Sequence, residues 1–198
     1  VRVEECAKPR LKHDHLEIRL MRDGQERVLR FNDSRRFGLV GWATGRASLM
    51  EKPPFCDLGP EPLESGFDGT VLERAFKGRK LTVKQALLSG HAVVGVGNIY
   101  ASEALFSARI DPRCPAGKLT AAQCQRLAGA IVAILTRAIA SGGTPIRDFA
   151  AVDGKPGYFV QKLQVYGRVG QPCPRCGGPV THLQQGQRST FFCPVCQR

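Results

Sequence analysis

Residues 81–112 read LTVKQALLSGHAVVGVGNIYASEALFSARIDP, and this stretch decides the fold. Thr82 and Gln85 stand three apart before an apolar run, the spacing of a capping box, and predict a helix over 81–89. An apolar turn with Gly95 and Gly97 follows. Asn98 then has N-cap chemistry for a second helix. Glycines let backbone amides approach a ligand closely, and the free N–H groups of a helix start suit an anion. A dinucleotide fingerprint does not fit, because Tyr100 occupies the third glycine position. A Walker loop does not fit either, since no Gly-Lys-Ser/Thr follows. A plain structural helical hairpin is the remaining alternative for these residues. Glu103, one turn into the second helix, is a carboxylate that can orient the turn or a ligand.

Working outward, Thr120 and Gln123 repeat the capping-box spacing. The helix after them places Leu127, Ile131, Ile134, Leu135 and Ala138 on one core-facing stripe that stops at Gly142-Gly143. A loop rich in Gly, Pro and Asp runs from there to Gly157, long enough to carry function. Upstream, residues 15–21 (HLEIRLM), Asp23-Gly24, residues 27–31 (RVLRF) and residues 37–43 (FGLVGWA) read as three strands with a two-residue hairpin turn between the first two. Pro53-Pro54 and LGPEPL mark a linker.

The chain closes on two cysteine pairs. Cys173, Cys176, Cys193 and Cys196 fit C-x2-C-x16-C-x2-C, a spacing that lets two knuckles converge on one tetrahedral Zn²⁺. A redox pair would need only one CxxC and a βαβ setting. Gly177-Gly178 relieve the turn after the first pair, and Thr190, Phe191 and Phe192 favour the return strand of a hairpin. Four thiolates around Zn²⁺ carry about −2 charge, so basic residues must attract any phosphate. Arg188, held on the hairpin, is the candidate. Arg35 and Arg36 beside Phe37 suit a wedge that opens a duplex, against the plainer reading of Phe37 as a strand-core residue.

Lys and Arg number 29 against 17 Asp and Glu, for a net charge of +12 spread along 198 residues. That balance points to a polyanionic partner. No apolar run approaches the ~20 residues of a membrane span, and VRVEECAKPR has no signal-peptide core. The expectation is a soluble intracellular protein, in which four scattered cysteines (Cys6, Cys56, Cys114, Cys124) beside four in CxxC pairs mean metal and not a disulfide framework.

Taken together, KHDH (residues 12–15), DSRRFG, LGPEPL, GVGNIYASEALF, GKPGYF, VYGR and QRSTFFCPVCQ resemble the formamidopyrimidine-DNA glycosylases, bacterial base-excision enzymes for oxidised purines, in the family's order and over essentially the whole chain. The related endonuclease VIII proteins share the helix-two-turn-helix but differ around RRFG and GNIYASE. The resemblance implies an α+β fold: the remnant of an N-terminal β-sandwich (1–52), a helix-two-turn-helix domain with a lesion loop (53–160) and a C4 zinc finger (161–198). It implies one structural Zn²⁺ on Cys173, Cys176, Cys193 and Cys196. DNA contacts would come from His13, Arg35, Arg36, Phe37, Arg79, Lys84, Asn98, Tyr166 and Arg188, with Arg188 also serving an elimination step. Glu103, Arg147 and Tyr158 would line the lesion pocket, the last two within the loop over 144–158. The expected partner is double-stranded DNA with a damaged base or abasic site, bound by a monomer in a bacterial cytoplasm, at the nucleoid, without a membrane.

The family's chemistry begins at an N-terminal Pro-Glu whose amine attacks the sugar C1′, whereas this chain begins Val1-Arg2. The expectation is therefore DNA binding with little or no catalysis by these 198 residues, and poor order before Pro53 where sandwich strands lack partners. Two alternatives carry the same features differently: a catalytically inactive damaged-DNA-binding protein, and a zinc ribbon of the ribosome or transcription machinery. The latter leaves GVGNIYASE and RRFG unexplained.

Overall fold

The computed structural model describes residues 1–34, 36–141 and 163–198. Strands β1 (Arg2–Glu5), β2 (Asp14–Arg22) and β3 (Gln25–Asn32) form an antiparallel sheet in the order β1-β3-β2. Asp23 and Gly24 close the β2–β3 hairpin with φ of 50° and 72°, the left-handed pair that a two-residue turn of matching twist requires. The sheet buries charge as well as apolar surface. Arg30 is 3% exposed, pairs with Glu17 at 2.7 Å and Glu4 at 3.3 Å, and donates to the carbonyl of Pro9 at 2.7 Å. Arg2 grips Asp14 through both carboxylate oxygens at 2.9 Å. Burial would raise the Asp14 pKa, but the Leu11 N–H, Asn32 and Arg2 together hold it below the usual carboxylate value.

The expected third strand over 37–43 is absent: these residues carry no regular structure. Phe37 is 85% and Trp42 80% exposed. Apolar β-formers do not make a strand without a neighbour for their backbone groups, and no described strand pairs with them. The segment before Pro53 is thus regular in its sheet and irregular over 37–43. A short helix α1 (Arg46–Met50) leads into the linker.

Four helices build the main core: α2 (Gly69–Phe76), α3 (Val83–Leu88), α4 (Asn98–Ala108) and α5 (Ala121–Ala140). Asp68 caps α2 by accepting from the N–H of Thr70 at 2.8 Å and of Val71 at 3.2 Å. Both expected capping boxes form, at Thr82/Gln85 and Thr120/Gln123. The α5 stripe of Leu127, Ile131, Ile134, Leu135 and Ala138 is buried against Leu72, Phe76, Leu87 and Leu105. Helices α2 and α5 meet closely at Gly69, where a Cβ would lie 2.5 Å from the Gln125 Cα. Helix α4 is buried on nearly every side, because it lies between α5 and the C-terminal hairpin of β4 (Thr181–Gln185) and β5 (Arg188–Phe192).

Candidate nucleic-acid interface and metal centre

The four cysteines of the two knuckles converge. Their sulfurs all lie within 4.8 Å of one another, with Cys173–Cys196 at 3.9 Å and Cys176–Cys193 at 3.5 Å. A disulfide needs about 2.05 Å. A tetrahedron of Zn–S bonds of about 2.3 Å separates its sulfurs by about 3.8 Å, so the cluster fits a metal. The thiols' electrostatics agree. Burial and the neighbouring sulfurs push Cys196 up to about 12. Burial also opposes ionisation of Cys173, but the N–H groups of Arg175 and Cys176 and the other thiols bring it down to about 7. Four thiolates this close require a cation, which one Zn²⁺ on Cys173, Cys176, Cys193 and Cys196 would supply.

The metal knuckles are fastened to α4. Phe106 of that helix forms a second core with Val165, Cys173, Val180 and Cys193. Gln197, 1% exposed, accepts the Cys193 N–H at 2.9 Å and donates to the Ile110 carbonyl at 2.8 Å. The amide therefore satisfies two backbone groups that water cannot reach. Sequence reading missed Gln197; its position one residue after the last ligand is the only signal for it.

The hairpin turn at Gly186-Gln187 has φ of 51° and 61°, which sets β4 and β5 in register with Gln185 opposite Arg188. Arg188 is exposed at this tip. Lys84, expected on the DNA, is instead 0% exposed. Its Nζ donates to the Ser189 carbonyl at 2.7 Å and the Thr190 hydroxyl at 2.8 Å, which leaves its ammonium facing the hairpin and not solvent. Burial, then the charge of Arg188, bring its pKa down to about 8.

Asn98 is the first residue of α4 and not its cap; Gly97 occupies the N-cap without a side-chain bond. Gly95 has φ of 75°, a backbone that glycine adopts without strain. The Asn98 amide donates to the Tyr166 hydroxyl at 3.3 Å. Tyr166 packs on Phe191 with centroids 4.7 Å apart, and His182 lies 5.2 Å from the same ring. Glu103, 5% exposed, accepts the N–H groups of Gln164, Val165 and Tyr166, each at 2.9 Å. Of its two expected roles, orienting the turn or a ligand, these bonds serve the first. Its carboxylate is committed to backbone and orients the turn that carries Tyr166.

Elsewhere, Arg79 donates Nε to the Ala75 carbonyl at 2.7 Å, and lines an open hollow of about 440 Å³ with Lys80, Leu81, Thr82 and Gln85. His13 adjoins the arginine loop: its carbonyl accepts the Asp33 N–H at 3.0 Å. Asp33 in turn accepts the N–H of Arg36 at 3.0 Å and of Gly38 at 2.6 Å, supporting the left-handed Arg36 at φ 56°. This turn presents Phe37 outward. Arg35, Arg147 and Tyr158 lie outside the described residues.

A thiolate finger docked on a helix pair whose glycine turn adjoins it defines a zinc-containing helix-two-turn-helix protein. Residues 58–150 match the formamidopyrimidine-DNA glycosylase H2TH domain, and residues 170–198 the zinc finger found in FPG and IleRS. The chain is 52% identical to the formamidopyrimidine-DNA glycosylase of Laribacter hongkongensis, covering 100% of this chain and 71% of that protein. It is 50% identical to that of Alkalilimnicola ehrlichii, covering 98% and 68%. The crystal structure of MutM (Fpg) from Thermus thermophilus superimposes with a TM-score of 0.81 at 38% identity, over 98% of this chain and 72% of that one. Lactococcus lactis Fpg in complex with abasic-site DNA gives 0.82 at 33%, over 100% and 70%. The chain belongs to the formamidopyrimidine-DNA glycosylase family. No helix among the described residues is long and apolar enough to cross a membrane.

Proposed function

We propose that this chain grips damaged duplex DNA for base-excision repair and recognises oxidised purines, 8-oxoguanine and formamidopyrimidines among them. One observation carries the reading: Asn98 of the helix-two-turn-helix bonds Tyr166, and Tyr166 packs on Phe191, three residues along β5 from Arg188. Two groups suited to phosphates thus share one rigid support. Arg188 and Asn98 would hold phosphates flanking the lesion, joined by His13 and Arg79. Phe37 with Arg35 and Arg36 would enter the gap left by an everted base, and Arg147 and Tyr158 would line the pocket. In the lyase reaction Arg188 would neutralise the phosphate that departs in the elimination step. The protein would act as a monomer in a bacterial cytoplasm, at the nucleoid. Complexes of Lactococcus lactis Fpg with Fapy-dG and abasic-site DNA support the substrate class.

Binding to abasic-site and intact duplexes at two salt concentrations tests this. With about six phosphates neutralised, affinity falls by roughly three orders of magnitude between 50 and 200 mM salt. A flat response, or no preference for the abasic duplex, overturns the reading. The bond-breaking steps need an amine at the sugar C1′. Borohydride trapping on abasic-site DNA tests the lyase step: a covalent adduct supports it, and its absence counts against it.

A further inference from the structure

Strands β2 and β3 pair residue for residue except at one place. Asp14 stands opposite Asn32 and Leu16 opposite Phe31, so two steps along β2 answer one step along β3. His15 is the extra residue of a β-bulge, and a bulge re-aims the side chain it carries. The ring of His15 places Nε2 2.9 Å from the Asp33 carbonyl oxygen. A carbonyl only accepts, so Nε2 carries the proton and donates it.

Asp33 is thereby held from two directions. Its N–H donates to the His13 carbonyl at 3.0 Å, and its own carbonyl accepts from His15. Its carboxylate accepts the N–H groups of Arg36 and Gly38. Asp14, with a side chain 0% exposed, secures the strand end beside it by accepting from Asn32 at 2.9 Å and from the Leu11 N–H at 2.8 Å. The backbone of Asp33 thus looks back to β2, while its side chain looks forward to the residues on either side of Phe37. Phe37 is 85% exposed, so its direction depends largely on the backbone that carries it. The plainer use of an exposed histidine here is as a phosphate ligand beside His13, whose ring centre lies 6.4 Å away. The bond to Asp33 argues against that use: in the neutral ring it takes the single N–H and leaves Nδ1 a lone pair, which offers an anion nothing.

We propose that His15 is a positioning residue for Phe37, fixing through Asp33 the turn that presents the ring and so adding to the preference for damaged over intact duplex without touching DNA. This rests on the reading of Phe37 as the group that enters the base stack.

Affinity and salt slope on abasic-site and intact duplexes, measured on zinc-loaded protein of verified fold, test it. A glutamine amide nitrogen can take the place of the histidine Nε2, whereas the shorter asparagine puts its amide nitrogen near the Nδ1 position. His15→Asn and His15→Leu should weaken binding to abasic-site duplex about fivefold, the net worth of one hydrogen bond, and leave intact duplex and the salt slope nearly unchanged. His15→Gln should bind as wild type, and the Asn and Gln pair carries the test if His15→Leu does not fold. In a Phe37→Ala background, His15→Leu should change affinity by less than about twofold, since the two act on one contact. Equal losses on both duplexes overturn the inference, and a slope reduced by about one then makes His15 a phosphate ligand. Wild-type binding by His15→Leu, a His15→Gln loss as large as that of His15→Asn, or a His15→Leu effect equal in both backgrounds overturns it as well. Phe37→Ala that keeps the full preference for abasic-site duplex overturns the reading of Phe37 and the inference with it.

Discussion

Arg175 lies with its guanidinium carbon 4.5 Å from the centre of the Phe106 ring and donates Nη1 to the carbonyl of that same residue at 2.8 Å. Its second fork nitrogen reaches the Ser107 carbonyl at 3.2 Å. The first cysteine knuckle therefore supplies a cation to the C-terminal carbonyls of α4, where a helix end is partially negative. Arg175→Ala should cost about 2 kcal/mol, from lost charge-assisted hydrogen bonds and ring contact. Denaturant unfolding of the zinc-loaded protein measures this, and amide exchange should quicken in the last turn of α4.

Metal removal should reach further than the finger. The core around Phe106 includes Cys173 and Cys193, so releasing the ligands removes the packing that covers α4 together with the Gln197 and Arg175 ties. Structural zinc contributes folding free energy directly. Chelation is expected to unfold the C-terminal hairpin, lower the melting temperature of the remainder and abolish preference for abasic-site DNA. One zinc per chain by atomic spectroscopy, lost in parallel with binding, is the expected result.

Local sequence signals carried the helices well: both capping boxes and the α5 stripe depend on spacings within one or two turns, and the cysteine spacing located the metal ligands. What failed depended on partners distant in sequence. Residues 37–43 have strand composition, but pairing decides a strand. Lys84 and Glu103 look like surface charges until β5 and the turn at 164–166 fold over them, 105 and 61 residues away. Asp33 lies within DSRRFG, yet its closing of the turn depends on the left-handed φ at Arg36, which composition does not report.

Lys84 also predicts a dependence on pH. Its folded pKa is about 8 against 10.5 unfolded, so between those values the unfolded chain binds more protons. Stability then rises with pH across that window, as the cost of a buried charge disappears. The gain is on the order of 3 kcal/mol in full. The difference between wild type and Lys84→Met is the quantity to follow. Unfolding free energies at pH 7.5 and 10, with zinc bound, should shift toward wild-type advantage at the higher pH. A difference that does not change with pH counts against a titrating Lys84.

The turn at Asp33 separates presentation of Phe37 from stability of the sheet. Its carboxylate holds the N–H groups of Arg36 and Gly38 in an exposed loop, and a Cβ at Gly38 would lie 2.4 Å from the Phe31 ring. Asp33→Ala releases both amides to water, which replaces such bonds at a net cost of about 1 kcal/mol. The melting temperature should hardly move. Phe37, however, loses its fixed direction, and binding that requires insertion into a base stack should weaken several-fold on abasic-site duplex, with little change on intact duplex bound through phosphates alone. Phe37→Ala should reproduce that selectivity without altering the turn. Equal losses on both duplexes would mean that the loop contributes charge and not a wedge.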